Sequence, residues 1–71
     1  MDRETGIQLL KQAERHVALG EKHIADQERR VAERGRNGLN VTRLRRLLDL
    51  FRDMQTQHVA YRDFLLRALR Q

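Results

Sequence analysis

Apolar positions along the chain fall into two long periodic runs, separated by six residues that break the period. In the first run Leu10, Val17, Ile24 and Val31 lie seven apart, and Ala13, Gly20, Gln27 and Arg34 each follow by three. These are the a and d positions of a heptad, which return to one side of a helix and predict a helix over about residues 2–34 packed along a seam. The heptad is written three times in nearly the same residues: Glu14-Arg15-His16-Val17-Ala18-Leu19-Gly20, Glu21-Lys22-His23-Ile24-Ala25-Asp26-Gln27 and Glu28-Arg29-Arg30-Val31-Ala32-Glu33-Arg34. A glycine inside a helix costs about 1 kcal/mol against alanine. Gly20 on the seam therefore reads either as a point of close approach or as an incidental residue in an otherwise stable helix.

The break, Gly35-Arg36-Asn37-Gly38-Leu39-Asn40, predicts a turn over residues 35–40. Its glycines can take the positive φ that ends a helix, Asn40 can cap the next one, and Leu39 with Leu44 has the spacing of a hydrophobic staple. In the second run Leu44, Leu47, Phe51, Met54, His58, Tyr61, Leu65 and Ala68 alternate spacings of three and four, which predicts a helix over about residues 41–70. So short a connection forces the helices to lie side by side and antiparallel. Equal rise then pairs positions whose numbers sum to about 75, setting Gly20 against Met54 and Ala13 against Tyr61.

Both helices carry more apolar residues than a two-helix hairpin covers. Leu48, Leu50, Val59, Phe64, Leu66 and Leu69 lie off the second seam, Ile7, Leu9 and Leu19 lie off the first, and Ala18, Ala25 and Ala32 form a small-residue row. Contiguous exposed apolar surface usually marks an interaction site. The fold expected is an all-α antiparallel two-helix hairpin, coiled-coil-like, that self-associates most simply as a dimeric four-helix bundle. A different protein partner could cover the same residues, Leu48, Leu50, Val59, Phe64, Leu66 and Leu69.

Size supports the same expectation. The chain has 71 residues, and a core this small rarely supplies more than about 3–5 kcal/mol without a supplement. There is no cysteine and no proline, so disulfides and thiolate metal sites are excluded and nothing interrupts long helices. The sequence contains neither a membrane-spanning apolar run nor a signal-peptide pattern, and a cytoplasmic location is expected.

Candidate chemistry is sparse. His16 and His23 share a helix face and the antiparallel register brings His58 near them. Residues seven apart are nevertheless about 10.5 Å apart along a helix, too far for one metal ion, and compact helical sites use spacings of three or four. The expected roles are seam-flanking for His16 and His23 and core hydrogen bonding for His58, with no metal and no cofactor. Glu14, Glu21 and Glu28 form a row that reads as an interhelical salt-bridge stripe, and no nucleophile elbow, phosphate loop or diiron spacing accompanies it. No enzymatic activity is expected.

Charge is the less ordinary feature. The net charge is +5, yet residues 29–46 alone hold seven arginines against the single acid Glu33, a balance of +6. Arg29, Arg30 and Arg34 suit the C-terminal end of the first helix, whereas Arg43, Arg45 and Arg46 sit where the dipole of the second helix disfavours cations. Arg36, Arg43, Arg45 and Arg46 are thus candidate contacts for polyanions such as nucleic acid or an anionic membrane surface. Thirteen arginines to two lysines fit bidentate phosphate binding, but no aromatic residue is interleaved for base stacking. The competing expectation is a solvated basic face partly neutralised by Glu28, Glu33 and Asp49. Asn40-Val41-Thr42 also matches a glycosylation sequon, which a cytoplasmic location makes irrelevant.

Gln12-Ala13-Glu14-Arg15-His16-Val17-Ala18, then Gly20-Glu21 and His23-Ile24, and finally Gln57-His58-Val59-Ala60 with Arg62, resemble a pattern in short uncharacterised alphaproteobacterial helical-hairpin proteins. The resemblance spans most of the chain. It implies a bacterial, cytoplasmic origin and supplies no activity, partner or site residue. The expectation is a small interaction or scaffold protein that binds itself, with a nucleic-acid-associated accessory protein as the alternative.

Overall fold

The computed structural model describes residues 2–71 as two helices, α1 (Arg3–Arg36) and α2 (Thr42–Leu69), with no strand among the described residues. They pack side by side as a rod of 53 × 14 × 13 Å. A 34-residue helix is about 51 Å long at 1.5 Å per residue, so α1 sets the length of the molecule.

Local chemistry explains both ends of α1. Asp2 caps its start by accepting hydrogen bonds from the Thr5 N–H at 2.9 Å and the Thr5 hydroxyl at 2.7 Å. Those bonds, the backbone one foremost, hold the Asp2 carboxyl below the usual carboxylate range. The cap is therefore intact at neutral pH and is lost only as acidification protonates the carboxylate. At the other end Gly38 takes φ +73°, the Leu39 N–H donates to Arg34 O at 3.0 Å, and the Gly38 N–H donates to Gly35 O at 3.1 Å. This is a Schellman motif, in which one left-handed residue satisfies two orphan carbonyls. Only Gly38 plays that part. Gly35 stays helical, so α1 continues two residues beyond the expected 34 and the connection shortens to residues 37–41.

The start of α2 differs from expectation in register. Val41 stands at the cap position without a side-chain bond, while Asn40 Oδ1 accepts the Thr42 N–H at 2.9 Å from one residue earlier. Asn40 thus serves the helix through an Asx turn. Leu39 is 56 % exposed, and the shifted start removes it from staple spacing with Leu44.

Packing follows the heptad of α1 closely. Ala13, Val17 and Gln27 are buried, and Leu10, Gly20, Ile24 and Val31 are half-buried. Pairs seen across the interface, His16 with His58, His23 with Phe51 and Gly20 with Gln55, have numbers that sum to 74 or 75, as equal antiparallel rise requires.

On α2 the seam is turned relative to the expected one. Leu48 and Leu65 are its buried residues, Leu44, Phe51, Gln55, His58, Val59, Leu66 and Leu69 are half-buried, and Leu47, Met54 and Tyr61 are 39 %, 46 % and 46 % exposed. Gly20 accordingly meets Gln55 rather than Met54. A methyl group on Gly20 would overlap the Gln55 amide, whose Cδ would lie only 2.8 Å away. Gly20 is a point of close approach after all.

Polar bonds cross the interface in this rotation, although Gln55 Oε1 is buried without a hydrogen-bond partner among the described residues. Gln55 Nε2 donates to Val17 O at 2.8 Å, and Gln27 Nε2, on a residue only 2 % exposed, donates to Leu44 O at 3.0 Å. Each helix therefore sends one glutamine to a backbone carbonyl of the other, and Arg3 Nη1 adds a third clasp to Leu69 O at 3.0 Å near the chain ends. Turning Tyr61 outward also leaves its hydroxyl in water, where facing Ala13 would have demanded a buried partner.

Candidate functional site

The rotation of α2 exposes a second stripe. Leu47, Leu50, Met54, Gln57, Tyr61, Phe64 and Ala68 alternate spacings of three and four, the a/d pattern of a seam, along the outward side of the helix. Five of these are large apolar side chains, with Leu50 at 52 % and Phe64 at 54 % exposed beside the three given above. Side chains at these spacings form one continuous band, because residues three and four apart are neighbours on a helix.

The residues proposed from sequence for self-association divide between the two faces. Leu50 and Phe64 lie on the exposed stripe, whereas Leu48 is 6 % exposed and has no free surface to offer. Val59, Leu66 and Leu69 are half-buried within the single hairpin. Leu47, Met54 and Tyr61 were expected on the intramolecular seam and instead complete the exposed stripe. The signal for them was present, since Leu47, Met54 and Tyr61 are themselves seven apart.

Beside the stripe runs a groove of about 200 Å³ between His16, Leu19 and His23 of α1 and Phe51, Met54 and His58 of α2. All three histidines of the chain line it. The His16 and His58 rings lie 5.6 Å apart, tilted by 49°, and the His23 ring lies 6.0 Å from Phe51. None of the three pairs with a carboxylate, and His58 makes no hydrogen bond, among the described residues. Nor, among the described residues, do three His, Asp or Glu side chains converge there to hold a metal ion. The groove joins the stripe into one mainly apolar face of the rod.

The turn end has a different character. Of the acids expected to neutralise it, Glu28 and Asp49 are engaged by Arg52, at 3.1 Å and 3.9 Å. Among the described residues, Glu28 is the one member of the Glu14, Glu21, Glu28 row that bridges the helices. Arg29 pairs with Asp26. That leaves Arg30, Arg34, Arg36, Arg43, Arg45 and Arg46 without a salt bridge among the described residues, all of them exposed. Arg34, Arg43 and Arg46 border an open hollow of about 550 Å³ with Asn40 and Thr42, and the first turn of α2 holds no acid.

These features define the class: an all-α two-helix hairpin with one apolar face and one basic tip. No helix among the described residues is long and apolar enough to cross a membrane. No protein family, curated protein or solved structure matches the chain.

Proposed function

We propose that this protein is a small, non-enzymatic interaction or scaffold protein of the cytoplasm that binds a second copy of itself through the exposed stripe of α2, completing a four-helix bundle. The observation that carries this reading is the second heptad seam, with five large apolar side chains each at least 39 % exposed. Isolated exposed leucines are ordinary, but a continuous band in seam spacing is a packing surface without its partner. Energetics point the same way, because four buried apolar residues, Ala13, Val17, Leu48 and Leu65, make a thin core for two long helices. Association would couple folding to protein concentration. The midpoint of thermal unfolding, followed by helical circular dichroism, is expected to rise with concentration across the micromolar range. A midpoint independent of concentration rejects the reading.

A second reading, a nucleic-acid-associated accessory role, is favoured by a separate observation: six exposed tip arginines make no salt bridge among the described residues. Such a cluster would bind phosphates through charge and without base readout, so affinity would fall steeply with salt. Retention on a generic DNA column is expected to drop to lower salt when Arg43, Arg45 and Arg46 are all replaced by Ala. Equal elution of the two proteins excludes the tip as a polyanion site.

A further inference from the structure

We infer that the second copy docks with its α2 antiparallel on α2, so that the two arginine-rich tips lie at opposite ends of the dimer. This inference rests on the self-association reading and assigns its geometry. Three features of the chain converge on it.

Location of the apolar band comes first. Leu47, Leu50, Met54, Tyr61 and Phe64 all belong to α2, while the part of α1 bordering the same face presents His16, Leu19 and His23. Closed dimers are twofold symmetric. Stacking two hairpins about an axis parallel to the helices sets each α2 against the other copy's α1, so apolar side chains would face histidines. An axis perpendicular to the helices and parallel to the contact plane sets α2 on α2, and the band covers itself.

Register comes second. In an antiparallel helix pair the a positions of one strand meet the d positions of the other. From Leu47 to Phe64 the band is symmetric about a point between Met54 and Gln57: Leu47 meets Phe64, Leu50 meets Tyr61, and Met54 meets Gln57 of the second copy, while the small Ala68 beyond it falls opposite Arg43. One register therefore covers all five large side chains at both ends. A shift of one heptad sets Leu47 against Gln71, or Tyr61 against Arg43. The chosen register also places Arg46 beside Arg67 of the second copy, a repulsion confined to the wet rims where salt screens it.

Charge comes third. Residues 29–46 carry +6, whereas residues 2–16 and 59–71 at the other end of the rod carry +2 together. Tips placed together would oppose two highly basic clusters across about one helix diameter, near the screening length at physiological salt. Opposed tips meet the weakly charged ends instead. A long face of a 53 × 14 Å rod is also close to the roughly 800 Å² per partner that stable complexes bury.

The chain has no cysteine, so Asn37→Cys in the turn accepts a single nitroxide label per copy. Pulsed dipolar spectroscopy of the labelled, full-length protein is expected to give one distance of about 50 Å, twice the helical rise from the turn to the centre of the register. A distance of about 10–20 Å, one to two helix diameters, overturns the opposed arrangement while leaving self-association standing. No dipolar signal beyond background at high micromolar concentration overturns both. Arg36→Cys serves as a second label site if Asn37→Cys lowers helical content.

Discussion

Leu65→Ala is expected to leave most of the chain unfolded at 25 °C. Leu65 is 1 % exposed and is one of four buried apolar residues, so its neighbours are too few to close the cavity. Replacing a buried leucine by alanine typically costs about 2–5 kcal/mol, which is comparable to the about 3–5 kcal/mol a core of this size supplies. Helical circular dichroism and urea unfolding measure the loss. Phe64→Ala removes a larger side chain one residue away, but from a position 54 % exposed in the hairpin. In the proposed dimer its effect acts through association, and raising protein concentration is expected to recover it. Equal and concentration-independent losses in the two variants would contradict the orientation of α2.

Tyr61→Glu combined with Phe64→Glu is expected to convert the assembled protein into single hairpins. Both positions are about half exposed in one chain, so the glutamates remain hydrated there and α2 can still pack on α1. Burying them in a second seam would take unpaired carboxylates out of water, a cost large enough to weaken association by more than about a hundredfold. With the proposed interface removed, the variant is expected to unfold independently of protein concentration. Leu39→Glu, at a 56 % exposed position in the turn and off the stripe, is the control and is expected to assemble normally. If the control dissociates equally, added charge rather than the stripe is responsible.

Much of this architecture is legible in the residues, for physical reasons that differ between the helices. On α1 one heptad dominates, and Ala13, Val17, Ile24 and Gln27 face inward as their spacing requires. The turn is legible because only glycine readily adopts the φ seen at Gly38. On α2 two apolar bands share a helix: Leu48 and Leu65 lie on one, Leu47, Met54 and Tyr61 on the other. Periodicity cannot rank them. In the observed rotation Gln27 and Gln55 reach backbone carbonyls across the interface and Gly20 leaves space for the Gln55 amide, long-range contacts that periodicity does not encode. The basic tip is readable as a count of charges, whereas which of its arginines form salt bridges among the described residues is not. That depends on Arg52, which lies outside the cluster in sequence and takes Glu28 and Asp49.

Sedimentation equilibrium of the unaltered chain from low to high micromolar concentration tests whether the stripe on α2 is the proposed seam for a second copy. A helical species approaching twice the single-chain mass of 8.5 kDa is expected as concentration rises. A folded, helical species that keeps the single-chain mass throughout that range would contradict it.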